Sequence, residues 1–192
     1  MFRILTVCSG NLCRSPIAEQ VLRAGLSDIP EIQVASAGTM AVNGDPMPEQ
    51  AARLSIRLGG DPLRHTARLI DESLISQADL ILVAAREHRS AVASMLPRAN
   101  RKTFTLREFA RLAESGDRWS TSLLVDVPRP AALPGFVAEL AARRGGVPPV
   151  EPDDDDVVDP YRRDDAVYEM AGAQLGPALD IIVRHLRQAA GS

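Results

Sequence analysis

Lysine is nearly missing from this 192-residue chain: Lys102 is the only one, and the remaining basic residues are arginines. The formal net charge is −3, so no cationic surplus draws the chain toward nucleic acid or an acidic membrane surface. Cysteine is scarce as well. Cys8 and Cys13 are the only two and lie five apart in one stretch, which excludes a disulfide framework and suits a reducing cytoplasm. Three histidines, His65, His88 and His185, are scattered without ligand spacing, so neither a metal site nor a cofactor is expected. No apolar run is long enough to span a bilayer, and the N-terminal one stops at Val7, too short for a secretory signal. The length suits one domain over residues 1–192 with a real core. An oligomeric state cannot be read from it.

What is present centres on Val7-Cys8-Ser9-Gly10-Asn11-Leu12-Cys13-Arg14-Ser15-Pro16. An apolar strand, Phe2 to Val7, enters this stretch. An amphipathic helix leaves it, running from Ser15 to about Leu26 with Ile17, Val21, Leu22 and Leu26 as its apolar stripe. A strand, a tight loop and a helix N-terminus form an anion cradle, because main-chain N–H groups converge there and the helix dipole adds positive potential. Gly10 allows the sharp turn, and Asn11 tolerates a left-handed conformation. Cys8 supplies a thiol whose thiolate form is a nucleophile. Arg14 supplies a planar fork for phosphate oxygens, the N–H groups from Ser9 through Cys13 to Arg14 cradle them, and the Ser15 hydroxyl reaches back toward sulfur. The chemistry these residues suit is transfer of a phosphoryl group to Cys8, followed by hydrolysis. No Gly-Lys-Ser/Thr follows, which excludes a Walker-type nucleotide loop.

Such a reaction needs a proton donor for the leaving oxygen, and a carboxylic acid is a natural one. Glu151 to Tyr161 holds the candidates. Asp153 to Asp156 read as a solvated acidic run without calcium-loop spacing. Asp159 differs, since Val157 and Val158 anchor it and Pro160 restricts its backbone; by itself it reads equally as a turn aspartate before proline. Tyr161 then stands where its ring can stack on an aromatic leaving group.

The rest alternates between the two periodicities. Strands are expected at Ile32–Ala35, Ala78–Ala84 and Lys102–Thr105. Helices are expected from Glu49 to Leu58, over Ile70–Ile75, Arg86–Met95, Leu106–Ala113 and Gly135–Arg144, and from Asp165 to Leu186 with Val167, Met170, Leu175, Leu179, Ile182 and Leu186 inward. Arg86 and His88 read as a solvated helix start, with contact to an acidic substrate as the alternative. The alternation predicts an α/β fold: a four-stranded parallel sheet with helices on both faces, three layers in all, and a ligand site at the carboxyl end of the first strand. Residues 115–150, broken by prolines, read as a surface insertion.

The loop from Val7 to Glu19 resembles that of the low-molecular-weight protein tyrosine phosphatases. Ser36-Ala37-Gly38-Thr39, His65-Thr66-Ala67-Arg68 and Asp159-Pro160-Tyr161 support the resemblance, which covers about residues 1–110 and 155–190. It implies the flavodoxin-like phosphotyrosine phosphatase I fold and hydrolysis of phosphotyrosine in protein substrates through a cysteinyl phosphate. In that scheme Cys8, Arg14 and Asp159 are catalytic, Ser36 and His65 hold Asn11 and the loop, and Cys8 pairs reversibly with Cys13 under oxidation. Two rim positions depart from the family, with Val42 and Arg162 standing where relatives often carry aromatic rings. The same loop resembles that of protein arginine phosphatases, in which the position of Leu12 is threonine. It also resembles that of thioredoxin-coupled arsenate reductases, which need further cysteines that are absent after Cys13. A phosphate-binding adaptor without turnover is the remaining alternative.

Overall fold

The computed structural model describes residues 1–115, 132–148 and 150–191. Four parallel strands, β1 (Phe2–Cys8), β2 (Ile32–Gly38), β3 (Leu80–Val83) and β4 (Thr103–Thr105), are ordered β2-β1-β3-β4. Side chains alternate across a strand, so the sheet presents two apolar faces. Phe2, Ile4, Leu80, Leu82 and Phe104 belong to one buried cluster, and Leu5, Val7, Ile81 and Val83 to the other.

The first face is covered by α1 (Arg14–Gly25), α2 (Glu49–Arg57), α5 (Leu106–Glu114), α6 (Ala132–Arg143) and α8 (Asp165–Ala190). The second is covered by α3 (Glu72–Gln77), α4 (Arg86–Met95) and the 3-10 turn Pro97–Lys102. A four-residue helix, α7 (Pro152–Asp155), precedes the Asp159 segment. The expected three-layer α/β architecture is therefore present. The order also places β1 inside the sheet, with β2 on one side and β3 on the other. The crevice at the carboxyl ends of β1 and β3 is the switch point where open α/β sheets hold ligands.

Local chemistry sets the boundaries. The α2 helix ends where Gly59 takes φ +87°, with Gly59 N–H donating to Ile56 and Gly60 N–H to Ser55, a Schellman ending that needs an achiral residue. The α3 helix starts two residues later than Ile70, because Asp71 is its cap and accepts from Leu74 N–H at 2.7 Å. The α5 helix carries a capping box between Thr105 and Glu108. The α8 helix continues through Pro177.

Two expectations need correction. The stretch over 115–150 is not wholly a surface insertion. Residues 116–131 lie outside the described residues, but α6 buries Leu133, Phe136, Val137 and Leu140 in the main core. Phe136 packs edge-on against Phe109 at 5.9 Å and stacks with His185 at 6.4 Å. Arg144, just beyond α6, lies 3.9 Å from the centre of the Phe104 ring and pairs with Glu108 at 2.8 Å. Along α8, Met170 is more than half exposed and Tyr168 is buried instead, because the first turns face the phosphate loop rather than the sheet.

The pairing of Cys8 with Gly38 leaves no room for a side chain at position 38. A Cβ there would lie 2.5 Å from the Ser9 carbonyl oxygen and 2.7 Å from the Asn11 nitrogen, both main-chain atoms. Gly38→Ala is expected to destabilise the protein by about 1–3 kcal/mol through this overlap. Phe136→Ala should cost about 3–5 kcal/mol, against less than about 0.5 kcal/mol for Met170→Ala. Chemical denaturation midpoints check all three.

Candidate active site

Between the end of β1 and the start of α1 the chain turns through Ser9–Cys13. Asn11 takes φ +54°, a left-handed conformation that asparagine adopts more readily than most residues. Its buried side chain holds it there: Nδ2 donates to Ser36 Oγ at 2.9 Å and to Ser15 Oγ at 3.0 Å, while Oδ1 accepts from Arg68 N–H at 2.9 Å. The main chain is held too, since His65 Nε2 lies 2.8 Å from the Asn11 carbonyl oxygen and donates to it. Ser36 is oriented in turn by donating to Glu19, and Arg68 Nε donates to the Ser36 carbonyl at 2.6 Å. Ser36 and His65 thus both meet Asn11. Glu19 and Arg68, quoted above only as part of motifs, complete this support.

The turn is rich in donors. Among the described residues, none of the main-chain N–H groups from Ser9 to Ser15 donates to a protein acceptor. They lie at the N-terminus of the twelve-residue α1. Unpaired N–H groups and a helix dipole together make an anion site. Arg14 closes it. The side chain is only 4% exposed, with Nη1 donating to the Val157 carbonyl at 3.1 Å and Nη2 pairing with Asp159 Oδ2 at 2.8 Å. Arg14 Nε is buried and has no partner among the described residues, a donor left for a further acceptor.

Cys8 Sγ lies 2.9 Å from Ser15 Oγ, so the hydroxyl can donate to a thiolate. Cys13 is also a free thiol, but burial pushes its pKa up to about 12, and its neighbour is Tyr168 Oη at 3.8 Å. It stays a neutral packing group, which leaves Cys8 as the nucleophile candidate. The Leu12 side chain is largely buried and leans over Gly10 of the same turn. Gly10 and Ser9 complete the turn, and Ser9 Oγ is 3.4 Å from Arg14 Nη2.

Asp159 lies half exposed across from this turn, and its Oδ1 accepts from Tyr161 N–H at 3.2 Å. Tyr161 is 40% exposed, with the Arg162 guanidinium 5.1 Å from its ring centre. Met40 and Val42 are exposed apolar groups in the loop that follows β2. That loop starts beside the turn, with Thr39 N–H donating to the Cys8 carbonyl and Met40 N–H to the Ser9 carbonyl, both at 2.9 Å.

Two readings of polar residues fail here. His88 is buried and pairs through Nε2 with Ser9 Oγ at 2.8 Å. Burial first, and then the Arg14 charge, lower its pKa to about 4, so it stays neutral. Its distance from the loop in sequence hid this; the one available signal was its place one turn into the helix after β3. Asp155 and Asp156 are not a solvated run either, since they pair with Arg111 and Arg86 at 3.0 and 3.1 Å.

Comparison with known proteins agrees with this geometry. The sequence model for low molecular weight phosphotyrosine protein phosphatases matches residues 3–120. The low molecular weight protein-tyrosine-phosphatase Ptp of Acinetobacter johnsonii is 38% identical over 103 residues, 54% of this chain and 70% of that protein. A protein-arginine-phosphatase of Geobacillus stearothermophilus is 32% identical over 108 residues, 56% of this chain and 71% of that protein. Among solved structures, Vibrio vulnificus Wzb in complex with benzylphosphonate aligns with a TM-score of 0.66 at 25% identity, covering 95% of this chain and 97% of that one. The fold, the turn of free donors around a thiol and the matched sequence lead to one conclusion: the chain belongs to the low molecular weight phosphotyrosine protein phosphatase family.

Proposed function

We propose that the protein hydrolyses phosphotyrosine in phosphoprotein substrates, with Cys8, Arg14 and Asp159 as its catalytic residues. One observation carries the reading: Cys8 Sγ, hydrogen-bonded to Ser15 at 2.9 Å, ends the strand that opens a turn of unpaired N–H groups, and that turn is closed by an arginine already in contact with a carboxylate.

The steps follow from the groups present. A phosphate dianion enters the turn and accepts from the N–H groups of Ser9 to Ser15 and from Arg14, including its free Nε. It takes Arg14 from Asp159, because a dianion with three oxygens competes better for the guanidinium fork than a half-exposed carboxylate. The Cys8 thiolate attacks phosphorus opposite the ester oxygen; the S–P bond forms as the P–O bond breaks. Asp159, released from Arg14 and half exposed, takes a proton from solvent and gives it to the departing phenolate oxygen. A water molecule then attacks the cysteinyl phosphate, Asp159 takes its proton, and the S–P bond breaks to return the thiolate, which the Ser15 hydroxyl receives. The donors stabilise charge on the equatorial oxygens in both steps. No metal enters this scheme, since Arg14 and the N–H groups do that work.

The rim supports an aryl ester. Tyr161, exposed two residues after Asp159, has a ring that can stack on an aromatic leaving group, while Val42 supplies no ring. Two free cysteines support a reducing cytoplasm as the working compartment. The protein-arginine-phosphatase relatives keep phosphoarginine as a second substrate to assay.

Turnover of a phosphotyrosine peptide should be insensitive to EDTA and absent in Cys8→Ser. Asp159→Asn should lower kcat by about 10²–10⁴-fold, and Arg14→Lys, which loses the fork, by about 10²–10³-fold. A wild-type protein inert to the peptide but active on phosphoarginine keeps the mechanism and reverses the substrate. One that binds phosphate without hydrolysing either ester is an adaptor.

A further inference from the structure

The acidic run ahead of Asp159 holds more arginine contacts than a solvated stretch requires. Asp156 Oδ1 accepts from the main-chain N–H of Arg86 at 2.8 Å, and the Arg86 side chain grips the same carboxylate, with Nη2 to Oδ2 at 3.1 Å. Arg86 is the first residue of α4, whose own cap position, Ala85, has no capping side chain. Asp156 therefore caps α4 from a distant segment. Two residues into that helix stands His88, which meets Ser9 of the phosphate turn at 2.8 Å.

Arg107, in the first turns of α5, acts on the same segment from the other side. Its Nη1 donates to two main-chain carbonyls, Asp153 at 2.7 Å and Asp156 at 2.9 Å. Immediately downstream, Val157 N–H donates to the Ala84 carbonyl at the end of β3, and Val158 N–H to Gln174 Oε1, both at 2.8 Å. Asp159 follows directly on the last of these anchors. Displacing residues 153–158 by an ångström moves the carboxyl group by as much.

We propose that Asp156 and Arg107 are positioning residues for proton transfer: they pin the segment that carries Asp159 to α4, α5 and, through His88, the phosphate turn. Neither touches the reacting atoms. This rests on Asp159 being the proton donor.

The test separates proton delivery from everything else. Leaving groups of high pKa need the proton, and acidic phenols need it far less. For each variant kcat/KM is measured on phenyl phosphate and on p-nitrophenyl phosphate. Both are dianions bound by the same donors, so their ratio cancels losses in phosphate binding. Asp156→Ala and Arg107→Met should lower the phenyl-to-nitrophenyl ratio by about tenfold, a part of what the donor itself contributes. Asp156→Asn, which keeps an acceptor for the α4 N-terminus, should lower it by less, and Arg107→Lys should restore part of it. These milder variants carry the test if the alanine variant does not fold. Asp159→Asn is the reference and should lower the ratio most. If Asp159→Asn lowers it and the Asp156 and Arg107 variants leave it at the wild-type value, or reduce both substrates equally, the positioning role is overturned and the donor assignment stands. If Asp159→Asn leaves the ratio unchanged, both fall together.

Discussion

Everything chemical in this protein depends on one asparagine held in a left-handed conformation. Asn11 at φ +54° turns the chain between β1 and α1 tightly enough that a run of N–H groups is left without acceptors among the described residues. Unpaired donors are costly in a folded protein unless water or a ligand satisfies them. Here the cost is borne because Ser36, Ser15, Arg68 and His65 grip the asparagine through both its side chain and its carbonyl. Gly38 contributes by being small, for its missing Cβ lets β2 end against the turn. An anion site results that is formed before any anion arrives, which is the condition for stabilising developing charge without reorganisation.

The second half of the chemistry comes from the far end of the chain, and it is attached by different means. Asp159 reaches the turn through a segment that has little regular structure of its own. Its neighbours Asp155 and Asp156 are held by arginines from helices α4 and α5, and Arg14 itself touches both the Val157 carbonyl and the Asp159 carboxylate. The paired state of Arg14 and Asp159 gives the empty site a neutralised pair, which an entering phosphate separates. Arg14 thereby links the phosphate turn to the Asp159 segment.

The relatives that this chain matches include proteins named protein-tyrosine-phosphatase and protein-arginine-phosphatase, and the turn separates the two readings at one position, Leu12. Leu12 stands where the resemblance to arginine phosphatases has threonine, and its largely buried side chain leans over Gly10 of the turn. Met40, Val42 and Tyr161 are exposed, with the Arg162 guanidinium against the tyrosine ring.

Local chemistry was enough for the phosphate turn, because its parts are contiguous: a strand period, a glycine and an asparagine, a thiol, an arginine and a helical stripe within twenty-five residues. The four strands and most helices were legible for the same reason, as periodicity is a property of neighbours in sequence. Boundaries moved where a side chain caps a helix, as Asp71 does for α3. Contacts between distant segments were not legible. His88 looked like a solvated residue and is buried against Ser9, and Asp155 and Asp156 looked like a free acidic run and are gripped by arginines. Helix α6 looked like decoration and fills the core beside Phe109 and His185. The chain by itself determined the make-up of the turn, since a thiol, an arginine and the loop between them are a local matter of residue type and backbone freedom. Only the tertiary structure decided what holds them in place, because a carboxylate's environment depends on which arginine lies within a few ångströms, and those partners are some 45 to 145 residues away in the chain.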